Sequence, residues 1–192
     1  MFGYRALGFG SFPSRGSGMN ATGGTITTHG AYTVHTFTSS GTFSVSGLSA
    51  TELIESLVIG GGGASTNSNG HGGAGAGGIA HSTEFTVAVQ DYTITVGAGG
   101  AMSDSPANGA DSSIDSFPVG KGGGKSQGST TTSTRNGGSG GGGGHANPGV
   151  AGGAATQPDQ ATDSSTTNYG HAGGSSYYGN YYPGGGGGGA GG

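Results

Sequence analysis

The apolar run Glu55-Ser56-Leu57-Val58-Ile59 passes without a break into Gly60-Gly61-Gly62-Gly63. A short apolar run signals a buried strand, and four glycines directly after it remove every side chain that would continue the packing. The event repeats where Tyr92-Thr93-Ile94-Thr95-Val96 meets Gly97-Ala98-Gly99-Gly100. Such a chain is expected to fold as a small β body with two glycine-rich excursions leaving its rim. A short one spans 60–78 and returns at Ile79, and a long one runs to Gly192. If both leave the same edge, the two can bundle together.

Glycine accounts for 51 of the 192 residues and proline for 6. Without a G-x-y period, that proportion ordinarily marks low-complexity disorder. Charge argues the other way, because only 7% of residues are Asp, Glu, Lys or Arg while 8% are aromatic, and solvated disordered chains are charge-rich and aromatic-poor. A neutral glycine chain satisfies its backbone by packing extended segments against one another. Past Gly97 there are few aliphatic side chains larger than valine, so a conventional core is not expected there. Ordering each glycine costs roughly 0.5–1 kcal/mol relative to alanine. Polyproline-II (polyglycine-II) rods, rising about 3.1 Å per residue, offset this by close approach, with inter-rod N–H···O bonds satisfying the backbone. Turns between rods fall on Thr66–Asn69, Met102–Asn108, Asn147-Pro148, Gln157–Ser165 and Ser175–Pro183.

Ahead of the first glycine tract the chain reads as β. Thr25–Thr28 and Tyr32–Phe37 flank a hairpin turn at His29-Gly30-Ala31, and Phe43 and Val45 alternate inward. Thr51–Ile54 is read as one turn leading into the strand 55–59, and Glu84–Val89 with Tyr92–Val96 as a second hairpin across Gln90-Asp91, with Phe85, Val87 and Val89 inward. About six short strands suggest a small sandwich or barrel with little or no α-helix. Its core of about 15 apolar side chains is small for a free-standing domain, so support from oligomerisation or from the glycine region is expected. The chain then divides into an arm (1–19), a β body (20–100) carrying the excursion 60–78, and a glycine-rich lobe (101–192).

The arm places Phe2, Tyr4, Phe9 and Phe12 among glycines and serines with Arg5 and Arg15. No local periodicity buries these rings. The segment is either a frayed terminus or a docking arm whose anchors fill pockets on a partner.

The net charge is −4 with five basic residues, too few and too scattered for phosphate neutralisation along nucleic acid. Cysteine is absent, which rules out disulfides and thiolate metal sites. No 18-residue apolar span or signal-peptide core occurs, so neither membrane insertion nor general secretory export is expected. Gly122-Gly123-Gly124-Lys125-Ser126 imitates the end of a phosphate-binding loop, but Val119 stands where glycine is needed. Gly137-Gly138-Ser139-Gly140-Gly141 fits a nucleophile-elbow pattern that a glycine tract produces by chance. His71, His145 and His171 lack metal-ligand spacing, and Asp104, Asp111 and Asp115 lack the alternation of a calcium loop. No catalytic residue, metal or cofactor is expected.

Ala21-Thr22-Gly23-Gly24-Thr25-Ile26-Thr27-Thr28, Tyr32 to Phe43 and Leu57 to Gly63 resemble the opening of the glycine-rich domain of bacteriophage tail-fibre and other virion proteins. Tyr92–Gly100, Ser112–Phe117 before Gly120–Gly124, and Tyr181-Tyr182-Pro183 before Gly184–Gly189 continue the likeness, which spans roughly 20–192. It implies a non-enzymatic virion protein, assembled in the host cytoplasm, with a polyglycine-II bundle similar to that of distal tail-fibre adhesins. Partners implied are other virion proteins, met through the arm, and a host-surface glycan or outer-membrane receptor. The chain would act as a homo-oligomer or as a cap on an oligomeric fibre. A capsid decoration or head-fibre role uses the same parts, and ice binding is a reading of another class.

Five of the eight tyrosines, Tyr169, Tyr177, Tyr178, Tyr181 and Tyr182, gather within 14 residues beside Ser, Asn and Gly. That is the composition of adaptable recognition loops. They are candidates for stacking on sugar faces or, equally, for sealing the bundle end.

Overall fold

The structure is a computed structural model that describes residues 18–49, 52–66, 72–115, 118–126, 135–145, 149–158, 164–177 and 183–191. Among these, ten strands form and no helix: β1 (Met19–Thr22), β2 (Thr25–His29), β3 (Tyr32–Thr36), β4 (Gly41–Leu48), β5 (Glu52–Ile59), β6 (Ile79–Val87), β7 (Asp91–Thr95), β8 (Ser112–Ile114), β9 (Val119–Gly120) and β10 (Thr166–Tyr169). They make a five-stranded sheet ordered β1-β4-β7-β8-β9, a three-stranded sheet ordered β10-β6-β5, and the β2-β3 hairpin. Every named pairing is antiparallel.

Alternation explains the layering. Phe43 and Val45 of β4, Tyr92 and Ile94 of β7 and Ile114 of β8 form one inner face; Ile54 and Val58 of β5 and Ala80 and Val87 of β6 form the other. The two faces meet in one core, the arrangement of an open sandwich. The hairpin turn is as expected, with Gly30 in the left-handed region at φ 61°. Nothing lies within 4 Å of a Cβ added there, so Gly30→Ala isolates the backbone cost. A loss of about 1 kcal/mol is expected, read as a shift in the denaturation midpoint at unchanged slope.

Two expectations are corrected. Residues 52–54 are strand rather than turn: Ile54 is fully buried, in phase with Ser56 and Val58. The segments around Gln90-Asp91 are not a hairpin, because β6 pairs with β5 and β10 while β7 pairs with β4 and β8. The chain crosses between sheets there, and Val89, expected inward, is 58% exposed. Tyr92 holds the crossing, since its hydroxyl accepts from the Ala88 amide at 2.7 Å and its ring meets Phe85 edge-on.

Beyond the sandwich the glycine-rich stretches form a bundle held by backbone hydrogen bonds with a three-residue beat. Gly60 and Gly63 donate to Gly78 and Gly75, whereas Gly61 and Ala64 donate to Ala110 and Ala107. Gly123 and Ser126 bond Gly61 and Ala64; Gly75 and Gly78 bond Gly124 and Lys121. The segment 139–145 is the hub. Ser139 and Gly142 donate to Ala76 and Gly73, Gly140 and Gly143 to His171 and Gly174, and the carbonyls of Gly140 and Gly143 accept from Gly188 and Gly185. Residues three apart addressing one neighbour are what a helix of three residues per turn requires, and each rod thereby reaches several neighbours. The two excursions do bundle together, since Gly100 donates to the Gly62 carbonyl and a Cβ on Gly61 would strike that of Ala98.

Sandwich and bundle are joined by strands from beyond residue 100 and by one buried side chain. Gln157 has no exposed surface. Its Oε1 accepts from the Lys121 amide at 2.7 Å, and its Nε2 donates to the Val119 carbonyl at 3.0 Å and to Asn168 Oδ1 at 2.9 Å. Arg135 is also buried, and desolvation pulls its guanidinium below its usual pKa.

Candidate binding surfaces

The molecule has two poles, set by the direction of β5. At its first residue, Glu52, the incoming chain passes close by: a Cβ on Gly18 would lie 2.9 Å from Glu52 Oε1. The Gly18 carbonyl there accepts from the Ser49 amide at 2.8 Å. At its last residue, Ile59, β5 enters the first rod. Eight residues of strand separate these points, about 25 Å.

At the far end of the rods, Thr66 and Gly72, His145 and Gly149, and Tyr177 and Pro183 bracket stretches outside the described residues. The turn described at that end, Ala101–Ser105, carries Met102 at 67% exposure. Tyr177 stands at the same end, 73% exposed. Tyr169 does not join it. It ends β10, paired with Ile79 at the sheet rim, and eight residues of rod put it about 25 Å from Tyr177. Tyr178, Tyr181 and Tyr182 lie outside the described residues, as do Phe2, Tyr4, Arg5, Phe9, Phe12 and Arg15 of the arm.

Tyr169 instead lines a groove of about 350 Å³ on the outer face of the three-stranded sheet, with Glu55, Leu57, Ile79, His81, Ala190 and Gly191. His81 Nε2 and Glu55 Oε1 are 2.7 Å apart. The groove was not anticipated. Its signal was the unbroken Leu57-Val58-Ile59, where a one-sided strand would alternate with polar residues. One face of that run is core, and the other is this outward apolar patch.

The phosphate-loop imitation is occupied by the bundle itself. The amides of Gly123, Gly124 and Ser126 donate to Gly61, Ser139 and Ala64, leaving none of the three for a phosphate. The same holds at the elbow-like 137–141, whose amides are likewise spent on backbone carbonyls.

The model of the Glycine-rich domain family matches residues 38–192. The chain belongs to that family. The matched span of this glycine-rich domain begins ahead of β4 and takes in both excursions and the groove. Neither a curated protein nor a solved structure matches the chain.

Proposed function

We propose that this glycine-rich domain is a structural protein of a bacteriophage virion, a tail-fibre or tail-tip adhesin that presents its rod-end loops to the host surface. The observation that carries the reading is the bipolar layout. The chain enters beside Glu52 at one pole, and the rods carry Met102 and Tyr177 to the other. A protein anchored at one end and recognising at the other needs that separation, and the bundle supplies it without an apolar core of its own. The likeness of residues 21–28, 32–43 and 57–63 to the opening of phage glycine-rich domains supports the virion part of this reading. On this reading the arm, with Phe2, Tyr4, Arg5, Phe9, Phe12 and Arg15, meets other virion proteins, and Tyr177 with Tyr178, Tyr181 and Tyr182 meets a surface glycan or outer-membrane receptor.

Immunogold labelling of intact particles with antibody against this chain tests the proposal. Label confined to the tail tip is the expected result. Label over the head would replace the adhesin with a decoration protein, and unlabelled particles would remove the virion role.

A further inference from the structure

Asn-Gly pairs occur at 69–70, 108–109 and 136–137, and the second and third lie among the described residues, inside the bundle. Asparagine is thermolabile, and most so before glycine, where no Cβ shields the following amide nitrogen from the asparagine side chain. Once its proton passes to a solvent base, that nitrogen attacks Cγ. A C–N bond forms, ammonia leaves, and the resulting succinimide takes up water at either carbonyl to give aspartate or isoaspartate. Water is the one co-reactant.

In the bundle both carboxamides are engaged. The Lys125 amide donates to Asn108 Oδ1 at 2.9 Å, and Asn108 Nδ2 donates to the Asn136 carbonyl at 3.2 Å. The Ala154 amide donates to Asn136 Oδ1 at 2.8 Å. The two side chains thereby do what a further rod would do, answering backbone groups on their neighbours. The nucleophiles are engaged as well, the Gly109 amide donating to Gly123 at 2.9 Å and the Gly137 amide to Ala154 at 3.3 Å. Reaction requires the N–H to be released to a base and the carboxamide to swing off its partners onto its own backbone. Both asparagines are exposed, so water reaches the carboxamides and the hydrogen bonds supply the block.

We propose that Asn108 and Asn136 are sites of spontaneous backbone modification that the folded bundle holds unreactive and that react when their rods part. The product makes the parting permanent. Isoaspartate adds one methylene to the main chain, so beyond 108 the amides of Gly109 and Ala110 no longer fall on Gly123 and Ala98. Beyond 136 the amides of Gly138 and Ser139 lose Gly122 and Ala76 in the same way. A bundle built on backbone addresses thus records an opening that a core of side chains would heal. The proposal is independent of the virion reading.

The test incubates the full chain at pH 8, folded and in guanidinium chloride, and follows aspartate and isoaspartate at both sites by peptide mass spectrometry. A reaction that passes through an opened state follows the population of that state, so the folded chain is expected to react at least about ten-fold more slowly at each site. Any smaller ratio would overturn the proposal. Lys125→Pro and Ala154→Pro each delete one amide donor at a position where a polyproline-II rod accepts proline. The first is expected to speed reaction at Asn108 about five-fold with Asn136 unchanged, and the second the reverse. Equal acceleration of both sites by either variant, or none by both, would overturn the assignment of the block to the carboxamide bonds.

Discussion

Gly140→Ala is expected to lower the melting temperature by about 10 °C, a loss of about 4 kcal/mol for a chain of this size. Gly140 sits in the hub rod, donating to His171 at 2.9 Å and accepting from Gly188 at 2.8 Å. A Cβ there would fall on the Gly153 carbonyl and 2.9 Å from the Gly173 amide. In an ordinary core, overpacking costs about 1–3 kcal/mol because side chains shift to make room. Here the obstacle is backbone, which moves only by parting rods and giving up inter-rod hydrogen bonds worth about 1 kcal/mol each. Gly186→Ala is the control, since nothing lies within 4 Å of its added Cβ. That change should be neutral or stabilise by about 0.5 kcal/mol through the unfolded chain. Equal melting temperatures for the two variants would mean that the bundle is not packed backbone on backbone.

Gln157→Ala is expected to cost about 4 kcal/mol. It removes the acceptor of the Lys121 amide and the donor to the Val119 carbonyl beside a side chain that has no exposed surface, and a buried polar group left unpaired costs about 1–3 kcal/mol. Gln157→Glu separates hydrogen bonding from volume. The carboxylate keeps the bond from the Lys121 amide but faces two oxygens that the native amide served as donor. Burial and those oxygens raise its pKa above the unfolded value. Its stability is therefore retained at low pH and lost as pH rises through the folded value. With one O–H for two acceptors, the variant should melt about 1 kcal/mol below wild type at pH 4.5 and much further below it at pH 8. A pH-independent difference would mean the site is wet.

What could be read from the sequence followed where side chains carry local information. Phe43 and Val45 alternate within one strand, Gly30 marks its own turn, and the glycine tracts after Ile59 and Val96 declare the rim at which side-chain packing stops. What escaped depends on distant partners. The crossing after β6 looked like a hairpin because Glu84–Val89 and Tyr92–Val96 have matching patterns, whereas the pairing is decided by β5 and β4. β8, β9 and β10 are two to four residues of Ser, Thr, Ile, Val, Gly, Asn and Tyr, too short to show a period. Gln157 carries no local sign of its role, its partners on the β9 side lying 36 and 38 residues away. Tyr169 and Tyr177, close in sequence, part company because a rod advances about 3.1 Å per residue, far more than a helix does.

The three-residue beat of the bundle also sets a unit of change. A rod that gains one or two residues turns its amides toward the wrong neighbours, as Gly61 and Ala64 would if they faced Gly78 and Gly75 instead of Ala110 and Ala107. A rod that gains three restores every address one step further out. Excursions of this kind can therefore lengthen only by matched triplets in the outgoing and returning legs. Between those steps, variation among the described residues falls on the turn Ala101–Ser105 at the far pole, where exposed Met102 can change without disturbing the rods.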